Sequence, residues 1–401
     1  MKKITICEVC GNEDLVEVLN LGLHPMCDDL VEVGNERVCK EYPIVILFCN
    51  NCRTAHQKYQ IPKNELFPKT YHYRSRFTSD VLDGMKLLVN ECKQYIPNLI
   101  GKKVLDIGCN DGSLLDFFKA EGAITVGIEP TDASVDAKNK GHLTYSDFLT
   151  FSSAKVLLAE NGFFDVVTFT NVFAHIEDLN KVIESLKVLI KDDTIIIIEN
   201  HYLGAVLDKN QFDTFYHEHP RTYSYNSFVY IANSLGLDLL NVEFPSRYGG
   251  NIRVIIGNKK KFRLTNFLQD QIIIKEDQFL AMFDDMRTTI ENWKVEKSKQ
   301  LEELVVLHGP LKAKSFPGRA AILVKLLELD ITKIEATFEK PGSMKIGNYL
   351  PGTRIEIKSD TELFKTLMDE KVIINFAWHI DKEIELYLKD HGFRGEIVNI
   401  L

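Results

Sequence analysis

Val104-Leu-Asp-Ile-Gly-Cys-Asn-Asp-Gly-Ser-Leu114 reads as a strand ending at Asp106-Ile107, a glycine turn, and a helix starting near Gly112. A glycine at 108 lets the backbone come close to a ligand that any side chain would hold off. The same grammar repeats outward along the chain. Ile124-Thr-Val-Gly-Ile-Glu129, Asp165-Val-Val-Thr-Phe-Thr170 and Thr194-Ile-Ile-Ile-Ile-Glu199 are strand-like, and Leu179 to Ile190 has helical periodicity between the last two. A run of four isoleucines is apolar on both faces, as a parallel strand covered by helices must be. The alternation predicts a doubly wound α/β sheet from Gly101 to about Asn258.

The turn is not the dinucleotide pattern G-x-G-x-x-G, which seats a pyrophosphate on a helix N-terminus. Asp106, Asn110 and Asp111 crowd it instead. Carboxylates repel phosphate but suit a ligand carrying an ammonium and a sulfonium. Glu129 closes the next strand, where a carboxylate can accept hydrogen bonds from a ribose diol. Asn171-Val-Phe-Ala-His-Ile-Glu-Asp178 follows the strand at 165–170, at the sheet edge where ligands bind. His175 there either contacts ligand or packs beneath the strand end. A phosphate-free nucleoside bearing positive charge is S-adenosylmethionine. The expected core is therefore a class I S-adenosylmethionine methyltransferase (Rossmann-like) fold. Its cofactor residues would be Asp106, Gly108, Asn110, Asp111, Glu129, Asn171, Val172 and His175.

All eight cysteines lie at or before position 109, which in an intracellular chain reads as metal binding before disulfides. Cys7-Glu-Val-Cys10 and Cys49-Asn-Asn-Cys52 are two CxxC knuckles. Together they supply four thiolates, enough to close a tetrahedral structural zinc. Cys27 and Cys39 lie between the pairs as alternative ligands. Three segments follow from these patterns. A zinc domain covers 1–70, a helical lead-in and methyltransferase core covers 71–260, and linking helices with a C-terminal Rossmann-like α/β domain cover 261–401. In the last segment, Gln269 to Leu307 reads as helix, and Lys333 to Phe338 and Val372 to Ala377 read as strands.

A net charge of -9, from 48 basic and 57 acidic residues, argues against nucleic acid as partner. No apolar run reaches the ~18 residues of a membrane span, and Met1-Lys-Lys-Ile-Thr-Ile6 opens no signal-peptide pattern. The expectation is a cytoplasmic protein off the membrane, a monomer or weak homo-oligomer.

In Phe212-Asp-Thr-Phe-Tyr-His-Glu-His-Pro220, the ionisable His217, Glu218 and His219 and the phenol of Tyr216 cluster in a segment that should overhang the same edge. Histidine can take a proton near neutral pH and a neighbouring carboxylate can tune it, which suits general acid–base work. His217 and His219, two residues apart, could also chelate a metal, although no third ligand lies nearby in sequence.

Over nearly its whole length the chain resembles the sugar C-3-methyltransferases, which modify nucleotide-linked deoxysugars. The CxxC pairs, the LDIGCNDGSLL turn, Ile128-Glu-Pro130, the segment Asn171 to Leu179 and Asp213-Thr-Phe-Tyr-His-Glu-His219 carry the likeness. So do Gly249-Gly-Asn-Ile-Arg253, Leu350-Pro-Gly-Thr-Arg-Ile355, Ala377-Trp378 and Glu383-Ile384. The resemblance implies a nucleotide-linked 4-keto sugar as substrate, with dTDP as the nucleotide or, alternatively, GDP or CDP. It implies that His219 removes a proton next to the ketone, with Tyr216, Glu218 and an early tyrosine, Tyr73 or Tyr71, around the sugar. Asn200, His201, His217 and Arg253 fall on the substrate side of that comparison. The chain departs from the family at Ser315-Phe-Pro-Gly-Arg-Ala320, at Gly352-Thr-Arg-Ile-Glu-Ile357, at Trp378-His379, and at Tyr248, where the family often has histidine.

Overall fold

The computed structural model describes residues 1–66, 74–77, 79–265 and 269–401. They gather into two compact units. The first comprises Met1–Val18, Ile46–Lys209 and Glu218–Met282, and the second comprises Leu19–Val45, Asn210–His217 and Phe283–Leu401.

The first unit is built on seven strands: β1 (Lys103–Ile107), β2 (Ile124–Ile128), β3 (Leu143–Tyr145), β4 (Val166–Thr170), β5 (Ile195–His201), β6 (Asp238–Glu243) and β7 (Asn251–Gly257). Their order is β3-β2-β1-β4-β5-β7-β6. β7 runs antiparallel to both its neighbours, while β1 to β5 are mutually parallel. This is the class I methyltransferase arrangement that the sequence implied. Ile195, Ile196, Ile197 and Ile198 are fully buried, as a strand covered on both faces requires. One face of the sheet packs Val104, Val166, Ile195 and Ile197 with Leu88, Val89 and Cys92 of α1 (Ser79–Tyr95). The antiparallel pair β6–β7 was not among the strand readings.

The zinc region does not stand alone. Its two knuckles belong to the first unit, whereas residues 19–45 belong to the second. The strands Leu15–Pro25 and Glu41–Cys49 each include residues of both units. The arm between them ends as Val31–Glu32, an edge strand paired with Asn348–Tyr349. Three consecutive segments in the sequence therefore become two units with interleaved chain.

The second unit carries five parallel strands: β8 (Leu311–Lys314), β9 (Ile334–Glu339), β10 (Glu356–Ser359), β11 (Val372–Asn375) and β12 (Glu396–Asn399). They are ordered β12-β11-β8-β9-β10. The order reverses between β8 and β11. The loops that follow these two strands meet on Asp213, from the segment 210–217. Arg319 grips its carboxylate with Nε at 2.8 Å and Nη2 at 2.5 Å, and Trp378 Nε1 donates to it at 2.9 Å. Arg319, from a stretch that departs from the family, and Trp378, from one that matches it, thus share one internal task. The helical stretch read from Gln269 to Leu307 is two helices, Gln269–Glu276 and Phe279–His308.

Gly84 sits inside α1, where alanine would ordinarily gain about 1 kcal/mol. A Cβ there would lie 1.4 Å from Arg247 Nη1 and 2.3 Å from its Cδ. Arg247 is buried, with Nε 3.3 Å from the fully buried Glu199 carboxylate. Gly84→Ala should therefore destabilise by about 1–3 kcal/mol despite the better helix former. A urea titration reads this, and a raised midpoint would refute the packing argument.

Candidate active site

The first loop of the sheet leaves β1 through Gly108, whose φ is 70°. A Cβ at this position would fall 2.6 Å from Cγ2 of Val172, on the loop after β4. Gly108 is thus required twice, by its left-handed backbone and by the close approach of its neighbour. Asp106 at the end of β1 is buried and accepts from Thr168 Oγ1 at 2.7 Å. Burial pushes its carboxyl up to about 7; the Thr168 hydrogen bond opposes the shift and the charge of Glu129 adds to it. Glu129 accepts from the Asn110 N–H at 3.1 Å on one oxygen, and from Thr131 N and Oγ1 at 2.9 and 2.6 Å on the other. A carboxylate offers about four acceptor sites, so it retains capacity for a hydroxyl.

The loop after β4 brings His175 to the same edge. Its Nδ1 lies 2.6 Å from the carbonyl oxygen of Glu218. A carbonyl only accepts, so this nitrogen carries the proton. Burial pulls its pKa down, against the opposing hydrogen bond to Glu218. The His219 ring stands 4.9 Å from that of His175 and 5.4 Å from that of His201. Asn200, beside His201, uses Oδ1 to accept from Ala174 N at 3.3 Å. Among the described residues its buried Nδ2, like the buried Thr170 Oγ1, has no hydrogen-bond partner. Orphaned polar atoms of this kind suit a ligand.

The four sulfurs of Cys7, Cys10, Cys49 and Cys52 lie within 4.8 Å of one another. Cys7–Cys52 and Cys10–Cys49 are separated by 3.4 and 3.6 Å, spacing that suits a tetrahedral ion with metal–sulfur bonds of about 2.3 Å. Cys27 and Cys39 belong to the second unit and do not join them. Around the cluster, His56 Nε2 stands 3.3 Å from Cys7 Sγ and Thr54 Oγ1 3.0 Å from Cys52 Sγ. These are the outer contacts that orient metal ligands.

Three family models match consecutive parts of the chain: "Putative zinc binding domain" over 7–67, "Methyltransferase domain" over 79–242 and "C-methyltransferase C-terminal domain" over 246–397. The chain is an S-adenosylmethionine-dependent methyltransferase. It is 25% identical over 394 residues to C-methyltransferase NovU of Streptomyces niveus, covering 96% of this chain and 92% of that one. The ubiquinone biosynthesis O-methyltransferase of Pasteurella multocida is 33% identical over 117 residues, covering 26% of this chain and 48% of the relative. The magnesium protoporphyrin IX methyltransferase of Synechocystis with bound S-adenosylmethionine aligns at a TM-score of 0.34 and 15% identity, over 45% of this chain and 80% of its own.

In this methyltransferase Asp106, Gly108, Asn110, Glu129, Asn171, Val172 and His175 gather at the carboxyl edge of β1, β2 and β4, where they would hold the cofactor. Asp111 differs. It is fully buried and accepts from Ser113 Oγ at 2.6 Å and the Arg76 N–H at 3.0 Å, so it caps the glycine turn from inside. Arg253 also differs from the expectation. It is buried, with Glu199 at 2.7 Å and the Gly84 carbonyl at 3.3 Å, and its charge is neutralised internally. Of the Asp213–His219 segment, Glu218 and His219 belong to the first unit. Tyr216 and His217 belong to the second, where His217 Nε2 donates to the Tyr42 carbonyl at 3.1 Å. Tyr71 and Tyr73 lie outside the described residues. Ser75 and Arg76 were missed by the sequence reading, although Ser75 N donates to Asn110 Oδ1 at 3.0 Å. Arg74, also unforeseen, ties that segment to Asp132 and Asp136 at 2.8 and 2.9 Å.

Two outcomes follow from this geometry. Cys52→Ser should take bound zinc from roughly one equivalent to near zero by elemental analysis, and retention of metal would exclude this cluster. A cationic cofactor beside Asp106 favours the ionised carboxylate, which exists only above its pKa of about 7. Cofactor affinity measured by calorimetry should therefore strengthen from pH 6 to pH 8 and level off, with proton release below about pH 7. Asp106→Asn should flatten that slope.

Proposed function

We propose that the protein transfers methyl to carbon, at C-3 of a nucleotide-linked 4-keto sugar, in the making of a branched sugar. The observation that carries this reading is the position of His219, a nearly buried imidazole between His175 and His201 at the carboxyl edge of β4 and β5. Carbon offers no lone pair, so methylation there needs a base, and His219 is our candidate for it. The likeness to C-methyltransferase NovU over nearly the whole chain supports the choice of carbon.

His219 takes the proton from the carbon next to the ketone, and the C–H electron pair moves into an enolate. The Asn200 amide, whose Nδ2 has no hydrogen-bond partner among the described residues, is suited to steady developing charge on an oxygen. When bound, S-adenosylmethionine supplies an electrophilic methyl group and leaves as S-adenosylhomocysteine. Glu218 and Tyr216 precede the base in sequence and, on this reading, orient the sugar together with Tyr73 or Tyr71. The nucleotide is dTDP on this reading, with GDP and CDP as the alternatives to test.

Mass spectrometry after incubation with S-adenosylmethionine and dTDP-, GDP- and CDP-linked 4-keto sugars tests it. One methyl gained on carbon, with solvent deuterium entering the same position, is the expected result. Methyl transfer to oxygen or nitrogen alone would overturn it. His219→Asn should lower kcat by about 10²–10⁴-fold, and near-normal turnover would remove His219 from the role of base.

A further inference from the structure

Arg221 lies two residues beyond His219 and its side chain has no exposed surface. Taking a guanidinium wholly out of water costs several kcal/mol unless its donors are met by a counter-charge and good acceptors. Here Nη1 donates to the carboxylate of Glu8, Nη2 to the carbonyl of Ile176, and Nε to Tyr223 Oη at 3.0 Å. Each acceptor sits on a different element. Glu8 is inside the first knuckle, between Cys7 and Cys10, so a metal on those sulfurs fixes its backbone. Ile176 belongs to the loop that carries His175. Tyr223 extends the same grip, its hydroxyl lying 3.4 Å from the Phe173 carbonyl on that loop.

The backbone repeats the connection. Arg221 and Thr222 pair antiparallel with His56 and Ala55 of the zinc region, and the Gln57 N–H donates to the Pro220 carbonyl at 2.8 Å. His56 in turn touches Cys7 Sγ. The residue after His219 is therefore hydrogen-bonded to a strand of the zinc region, and the side chain after that is charge-paired to the knuckle.

We propose that Arg221, held by Glu8, is a positioning residue for the His219–His175 pair, so that the zinc knuckle sets the geometry of the base. The proposal rests on the reading of His219 as base. Opening the knuckle withdraws the counter-charge, and Arg221 then cannot stay buried. Its departure frees the Ile176 carbonyl and the strand beginning at Arg221 together, which displaces the two rings relative to each other. Gln60 and Lys2 also reach Glu8, at 2.7 and 2.8 Å. Lys2 does so from the exposed side, and among the described residues its side-chain hydrogen bond is to Glu8.

The test uses the full-length, zinc-loaded protein with Glu8→Gln, Glu8→Asp and Arg221→Lys, and with Lys2→Ala as control. Zinc content, thermal midpoint and S-adenosylmethionine affinity are measured first, and variants that keep all three are carried forward. Imidazole nitrogen spectra of histidine-labelled protein, assigned with His175→Asn and His219→Asn, then report the ring environments. The expected result is that Glu8→Gln moves both ring signals and lowers kcat by about 10²-fold, with KM changed less than about 3-fold. Glu8→Asp should recover part of the loss, and Lys2→Ala should match wild type. Unmoved ring signals in a folded, zinc-loaded Glu8→Gln protein would refute the proposal, leaving Arg221 as a brace alone. If His219→Asn proves active, the base assignment fails separately, while the ring signals still decide whether Glu8 and Arg221 position them.

Discussion

A parallel sheet whose strand order reverses has one place where neighbouring loops must part, and in the first unit that place lies between β1 and β4. Each side of the parting turns on an asparagine in the left-handed region, Asn110 at φ 50° and Asn171 at φ 54°. Asparagine tolerates that region better than most residues. The two loops are still pressed together at one point, where Val172 meets Gly108 without room for a Cβ between them. Cofactor groups and histidines are consequently crowded onto a single edge.

The segment from Asp213 to Arg221 shows how that holding is done. It is anchored at each end by a buried guanidinium–carboxylate pair, and the sense of the pair reverses. At Asp213 the segment supplies the carboxylate to Arg319 of the second unit. At Arg221 it supplies the guanidinium to Glu8 of the first. Such pairs contribute less net stability than their geometry suggests, because each charge must first be desolvated. Their value is specificity: an alternative path for the segment leaves a buried charge unmet, which is far more costly than a lost apolar contact. Glu218 and His219 lie next to the second of these anchors, within the first unit.

Much of this was legible in the sequence. Continuous isoleucines announced a buried parallel strand, the glycine turn announced the ligand edge, and the CxxC pairs announced a four-sulfur site. What escaped was decided by long-range pairing. Nothing local marks residues 19–45 as chain of the second unit, since a two-residue edge strand at Val31–Glu32 leaves almost no pattern. β7 escaped because Asn251 and Arg253 interrupt its apolar run. Arg253 was placed on the substrate side by the family resemblance alone. The correcting signal was present: Thr194-Ile-Ile-Ile-Ile-Glu199 ends a buried run in a carboxylate that needs a cation somewhere. Asp111 misled in a similar way, since a carboxylate at a ligand turn and one that caps the following helix look alike in sequence.

Glu199 also explains why β7 pairs where it does. In the antiparallel β5–β7 ladder Glu199 stands opposite Arg253, Asn200 opposite Ile252, and His201 opposite Asn251. A slip of one residue would turn Arg253 to the other face and leave the fully buried Glu199 against isoleucine or valine. Losing one partner of a buried pair costs about 3–5 kcal/mol, enough to exclude the slipped register. The correct register brings Asn251 beside both loops, its Nδ2 reaching Glu199 at 3.0 Å and Asn171 Oδ1 at 3.3 Å. A buried charge pair next to Asn200 thus selects the alignment that ties the cofactor loop at Asn171 to the strand end carrying Asn200 and His201.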